Sequence, residues 1–341
     1  MRALGLDIGG ANVKLADATG RAMSIPFALW KQPAALPDVL KAALGETEPH
    51  DILAVTMTGE LCDCFTTKRD GVRHILEAVA SVAGDSDVLV WQTDGRFVSP
   101  ETACERILQT AAANWHALAT FAAKLISPAI GLLIDIGSTT TDIIPLRDDR
   151  PVPQGATDTE RLATGELVYT GVGRTPICAV ATQLDHQGRP HRVAAEFFAT
   201  MRDAYLLAGD VDENPEDDDT ADGRPATRPC AAARIARMIG ADTEQLGRGD
   251  TEHLARQMIN AQESLVADAV RQVTSGLDDP IETAIISGSG EFLAARIAGR
   301  SLGPEVPIIS FRDRFGRDVS RAACAFALAH LAHEDEWADH G

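Results

Sequence analysis

Two short stretches hold residue types suited to one kind of chemistry. In LLIDIGSTTTDII, Leu132 to Ile144, an apolar run ends in Asp135. Gly137 follows, Ser138, Thr139, Thr140 and Thr141 supply hydroxyls, and a second apolar run starts after Asp142. A glycine turn lets the backbone approach a ligand, and its successive N–H groups form a concave anion site. The hydroxyls add donors, while Asp135 and Asp142 are placed to hold a cation against the anion. The same wording opens the chain in LGLDIGGANVKL, Leu4 to Leu15, where Asp7, Ile8 and Gly9 match Asp135, Ile136 and Gly137. A third anion signal is TAIISGSGEFLAARIA, Thr283 to Ala298. There a strand runs into Gly288-Ser289-Gly290 and a helix whose N-terminal amides and dipole favour phosphate.

Each of the first two stretches predicts two strands joined by a tight turn, the leading strand apolar enough for burial on both faces. One such unit is common in any hairpin. Two copies a domain's length apart imply internal duplication, and with it a cleft between two related domains.

The rest of the chain supplies the supports. A third strand is expected near Ala22 to Leu29, a helix after Pro37, and a buried parallel strand over Ile52 to Met57. Thr58-Gly59-Glu60 leaves that strand at its C-terminal end, where ligands sit in open α/β sheets, so Glu60 is a site candidate beside a surface-loop reading. Lys68, Arg69 and Arg73 open the next helix, and Arg69 and Arg73 read as solvated charges. Val88 to Trp91 is another strand. Ser99, with Pro100 at the first helical position, predicts one long helix running through Trp115 to Leu125, with Trp115 in the core.

In RLATGELVYTGVGRTP, Arg161 to Pro176, Gly171 and Gly173 suit a flexible loop. Tyr169 reads equally as core or as a ring stacking on an aromatic substrate. Arg174 offers a planar fork for a diphosphate. Glu196 to Leu207 is expected as a helix with Phe197 and Phe198 in the core. Asp210 to Asp222 starts like a calcium loop but fails at Pro215 and Ala221, leaving an acidic mobile loop in which Asp222 is a candidate substrate contact. Pro229 to Ile239 and Glu252 to Val273 are amphipathic helices, and Ser320 to Ala332 a helix packing on the first domain. Cys62-Asp63-Cys64 lacks the second ligand pair that a zinc site needs.

The paired DIG turns and the late strand–GSG–helix resemble the actin-like ATPase and sugar-kinase superfamily. DIGSTTTD is most similar to its hydantoinase/oxoprolinase branch. TMTGELCDCFTTKRDGV (Thr56 to Val72), the Arg161 to Pro176 phrase and DTADG (Asp219 to Gly223) resemble a smaller family tied to tetrahydromethanopterin-dependent one-carbon metabolism. Its archaeal members are similar to the aminomethylfuran synthase of methanofuran biosynthesis.

The resemblance implies an α/β, two-domain actin-like (ribonuclease H-like) fold with a central interdomain cleft. The first domain would take 1–126, joined by a C-terminal helix over 318–334, and the second 127–317, with an acidic loop at 208–228. It implies a transferase that joins a furan-methyl diphosphate to the phenol of γ-glutamyltyramine and releases pyrophosphate. Asp7, Asp135 and Asp142 would then hold magnesium or a similar ion. Gly9, Gly10, Asn12, Gly137, Ser138, Thr139, Thr140, Gly288, Ser289 and Gly290 would hold phosphate, with Lys14 and Arg174 as cationic clamps. Glu60 or Glu166 would receive the phenolic proton. An ATP-dependent kinase or amide-ring-opening enzyme is the alternative, since the same cradle fits ATP, which the leading expectation does not require.

The bulk numbers agree. The chain has 341 residues, room for two cores, and its 45% hydrophobic and 24% charged composition is that of a globular protein. A net charge of −19 argues against a duplex nucleic-acid surface. No apolar run approaches the roughly 18 residues that a membrane helix needs. A strand starts almost at Met1 and the six cysteines are scattered, so a cytoplasmic protein is expected, with a homo-oligomer left open.

Overall fold

The computed structural model describes residues 2–338. Its first sheet has six strands: β1 (Ala3–Ile8), β2 (Asn12–Asp17), β3 (Ala22–Pro26), β4 (Ile52–Met57), β5 (Asp87–Trp91) and β6 (Phe97–Val98), in the order β3-β2-β1-β4-β5-β6. The second contains β7 (Gly131–Ile136), β8 (Thr141–Arg147), β9 (Arg150–Pro151) and β10 (Leu167–Val168). After a separate hairpin of β11 (Gln183–His186) and β12 (Arg189–Arg192), it is completed by β13 (Thr283–Ser287) and β14 (Ile308–Ser310), in the order β10-β8-β7-β13-β14. In each sheet the Asp-Ile-Gly strand pairs antiparallel with the strand after its turn and parallel with a later one, β4 for β1 and β13 for β7.

Every residue of β1 is buried, and its two faces meet different partners. Leu4, Leu6 and Ile8 join a core with Leu36, Leu40, Val72 and Ile75. On the other face, Ala3 packs with Leu328 and Leu331 of the helix Ala323–Ala338. Gly5 allows this approach, because a Cβ there would stand 1.8 Å from the carbonyl oxygen of Ala325. The late helix thus closes the first sheet.

Three expectations are corrected. The long helix from Ser99 is three pieces, Pro100–Glu105, Ile107–Thr110 and Asn114–Ile126. The break has a cause: the Thr110 hydroxyl donates to the Ala103 carbonyl, Gln92 donates to that hydroxyl, and Ala112 takes φ +51°. The helix expected at Glu196 starts at Met201, behind a Thr200/Asp203 capping box, which leaves Phe197 exposed.

The acidic segment is tied down by arginines. Asp210 pairs with Arg296, and Asp217 with Arg202. Asp222 accepts from Arg224, Arg234 and Arg237, which hold its carboxyl well below the usual range against the opposing effect of burial. Asp222 is therefore a fastener of this loop rather than a substrate contact. Among the described residues no helix is long and apolar enough to cross a membrane.

Candidate active site

The two hairpin turns open on one cavity of about 450 Å³, within the usual range for a small-molecule site. Their backbone repeats bond for bond. Gly9 N–H donates to Asn12 O at 2.9 Å, and Gly137 N–H donates to Thr140 O at 2.9 Å. Gly9, Gly10, Asn12, Lys14, Gly137, Ser138, Thr139 and Thr140 all line the cavity, as do Asp7, Asp135 and Asp142. Lys14 faces inward, with Nζ 4.0 Å from Asp7 Oδ2.

The carboxylates are not equivalent. Asp142 is gripped by buried Arg161 at 2.5 Å, and the guanidinium of Arg161 lies 4.0 Å from the Trp115 ring. Trp115 is therefore buried as expected, yet it backs the floor of the cavity. Asp135 accepts from Ser287 Oγ at 2.6 Å. Asp7 Oδ1 is buried without a partner. Burial pushes all three carboxyls up. Lys14 opposes this at Asp7 while Asp142 adds to it, and Arg161 opposes it at Asp142. Asp135 reaches about 6, raised further by Asp142 against Ser287 and Lys14. The floor is short of positive charge.

A divalent ion would relieve that shortage. Among the described residues no three His, Cys, Asp or Glu side chains form a ready ligand set. Asp142 gives Oδ1 to Arg161, which leaves it at most its other oxygen for the metal role expected of it. The remaining geometry suits an ion that takes one or two carboxylates and completes its shell from water and phosphate, as magnesium does. Asp7 and the free oxygen of Asp135 would hold it.

Glu60 lies in the same cavity. It is 1% exposed, and Oε2 has no partner. Burial pushes it up to about 7, with Lys68 opposing and Asp158 adding to the rise. Lys68 Nζ and Asp158 Oδ2, 3.4 Å apart, join the helix after β4 to the helix Asp158–Thr164 across the cleft.

Glu166, its rival as the base, is elsewhere in role. It does not line the cavity. Its carboxylate accepts from Gln154 N–H at 2.6 Å, Gly155 N–H at 2.8 Å and the Thr164 hydroxyl at 2.8 Å. Every strong direction of the group is spent on holding a loop.

The Gly288–Gly290 turn is held by the neighbouring backbone. Gly288 N–H donates to the Ser320 carbonyl, and Gly290 N–H to Ile136 O at 2.8 Å. The helix Glu291–Ser301 that follows receives its own glutamate: Glu291 accepts from Ser310, Arg312 N–H and Ser320. Gly288, Ser289 and Gly290 do not line the cavity. Their glycines pack against the end of β7 and the Ser320 carbonyl.

The GVGR loop is not flexible. A Cβ on Gly171 would sit 2.5 Å from Gly137 O and Thr139 N, and the N–H groups of Gly173 and Arg174 both donate to Ser138 O. Glycine is needed because this backbone lies directly on the second turn. Arg174 emerges from it with its guanidinium 4.3 Å from the Trp30 ring. Tyr169 is 66% exposed at the cavity rim, which settles it against the core.

Sequence reasoning missed Trp30, Asp158, Arg161 and Cys324 as cavity residues. Arg161 opens the phrase that holds Arg174, which was a usable signal; Cys324, from a helix far along the chain, had none. Burial, reinforced by Asp7 and Asp135, holds Cys324 as the neutral thiol.

Two sheets of one topology that bring paired Asp-Ile-Gly turns to a shared cleft define an actin-like ATPase fold. A solved structure of nucleotide-free acetone carboxylase shares it with a TM-score of 0.53 at 12% identity, over 96% of this chain and 70% of that one. Within that class the chain belongs to the hydantoinase/oxoprolinase family, whose profile matches residues 51–335. It is 33% identical, over 96% of both chains, to the (4-{4-[2-(γ-L-glutamylamino)ethyl]phenoxymethyl}furan-2-yl)methanamine synthase of Methanocaldococcus jannaschii. The Methanococcus vannielii protein of the same name is 31% identical over 59% of this chain and 89% of its own.

Proposed function

We propose that this protein is a cytoplasmic transferase of methanofuran-type cofactor synthesis. It joins a furan-methyl diphosphate to the phenol oxygen of γ-glutamyltyramine. The phenol oxygen forms a bond to the furfuryl carbon, and the carbon–oxygen bond to diphosphate breaks. The electron pair leaves with pyrophosphate, and the phenolic proton passes to Glu60. A carboxylate near 7 is suited to this task at neutral pH, since general bases work best with values close to the operating pH.

The turn amides and the hydroxyls of Ser138, Thr139 and Thr140 would hold the diphosphate, with Lys14 neutralising charge that builds on the leaving oxygen. A magnesium ion at Asp7 and Asp135 would supply further neutralisation. Arg161 opposes the effect of burial on Asp142 and orients it below them.

The observation that carries the reading is one cavity holding both an anion cradle and an unpartnered carboxylate, in a chain alike almost end to end to a synthase of this ether. Mass spectrometry of purified protein with both substrates tests it. The ether should appear with equimolar pyrophosphate and without ATP. ADP formation, with no ether, would replace it by the kinase reading.

A further inference from the structure

The cavity has a second, outer region that differs from the aspartate floor. Leu61 is 59% exposed, Leu162 50% and Tyr169 66%, and all three line the cavity mouth. Large apolar side chains left in water around a concave site mark a binding surface. Leu61 comes from the loop after β4 of the first sheet, whereas Leu162 lies on the helix Asp158–Thr164 and Tyr169 directly after β10 of the second sheet, so the rim is built by both sheets' connections.

Trp30 and Arg174 complete it. The exposed guanidinium of Arg174 lies over Trp30, 4.3 Å from the ring centre, and among the described residues none of its N–H donors has a hydrogen-bond or ion-pair partner. An arginine whose plane is fixed by an aromatic face keeps its outer edge free for two oxygens of an anion. Lys14 stands among the floor aspartates, 4.0 Å from Asp7, whereas Arg174 leaves the backbone beside Ser138 and reaches over Trp30.

Resting on the transferase reading above, we infer that this rim is the acceptor subsite. The aromatic ring of the phenol lies against Leu61, Leu162 and Tyr169, and the carboxylate at the acceptor's far end is held by Arg174, with Trp30 as its positioning residue. Arg174 thus selects the acceptor and does not clamp the leaving group.

The test is calorimetric titration of γ-glutamyltyramine, tyramine (which lacks the carboxylate) and pyrophosphate into wild type, Arg174→Ala, Trp30→Ala and Trp30→Phe, beside the ether assay. Loss of a charge-assisted contact should weaken γ-glutamyltyramine binding to Arg174→Ala by about tenfold to a hundredfold. Tyramine and pyrophosphate should bind that variant as they bind wild type. Trp30→Ala should follow part of the way, and Trp30→Phe should be rescued. Unchanged acceptor preference in Arg174→Ala, or loss of pyrophosphate instead, overturns the inference while leaving ether formation intact. A wild type that prefers the carboxylated acceptor but makes no ether overturns the transferase reading and leaves the subsite standing. A wild type that binds both acceptors equally removes the subsite outright.

Discussion

The two halves of this chain have one backbone and opposite chemistry. Asp7 pairs across its hairpin with Lys14, and at the same register Asp135 pairs with Asp142. The repetition extends to the neighbouring strands. Thr56 stands beside Asp7 as Ser287 stands beside Asp135, and Gly59 N–H donates to Ile8 O as Gly290 N–H donates to Ile136 O. The next residue in each half is glutamate. Glu291 is fully bonded, whereas Glu60 Oε2 is bare; likewise Ser287 bonds Asp135, while Thr56 Oγ1 and Asp7 Oδ1 have no partners. The second half has spent its polar groups on structure. The first keeps three of them unpaired, which costs stability and leaves them available for chemistry.

The sharpest test exchanges the paired glutamates. Glu60→Gln should cut turnover on the order of a thousandfold, the usual worth of a general base. Glu291→Gln should leave turnover within a few-fold and lower stability by about 1–3 kcal/mol. Steady-state rates with denaturant titrations check both, and equal losses of activity would erase the contrast.

Next comes the hairpin charge. Lys14→Met should lower turnover on the order of a hundredfold and weaken pyrophosphate inhibition. Asp142→Asn, which frees buried Arg161 from its ion pair, should instead lower the melting temperature. Normal pyrophosphate inhibition in Lys14→Met would end the role assigned to that lysine.

Glu60 also sets a pH dependence. As a base it must be ionised, so kcat/KM should fall about tenfold per unit below about 7, and Glu60→Gln should lose that limb. Stability should run the other way. The folded value, about 7, lies above the ordinary 4.5, so the protonated form is favoured on folding and wild type loses stability as pH rises through 7. At pH 8 Glu60→Gln should therefore be more stable, by up to about 3 kcal/mol. A flat rate profile, or a less stable variant at pH 8, contradicts this.

The smallest effect on activity is expected at Glu166. Glu166→Gln should cost about 1–3 kcal/mol and leave turnover within twofold. A large rate loss at unchanged stability would restore it as a base.

The hairpins were legible because a short glycine turn between apolar runs is encoded locally, and its repetition needs only a comparison of the chain with itself. The equivalence of Thr58-Gly59-Glu60 with Ser289-Gly290-Glu291 was hidden, since the shared part is a register between strands distant in sequence. At Gly288–Gly290 the same local signal says nothing of packing, which shows only in the bonds from Gly288 to Ser320 and from Gly290 to Ile136. Arg174 was found as an orphan of pattern, but its partner Trp30 lies far away in the chain and no spacing rule connects them.

Gly5 has a consequence for how the chain is made. The strand that bears Asp7 is synthesised well before the helix that covers its Ala3–Gly5 face, which begins only at Ala323. At roughly 5–20 residues per second, a ribosome needs on the order of 15 to 60 s between the two. For that interval the first sheet is an open-faced intermediate, and the floor of the cavity is completed only when Cys324 arrives with the helix. A pause in translation late in the message would lengthen the exposure of this apolar face and not of the Leu6 core on the other side of the sheet.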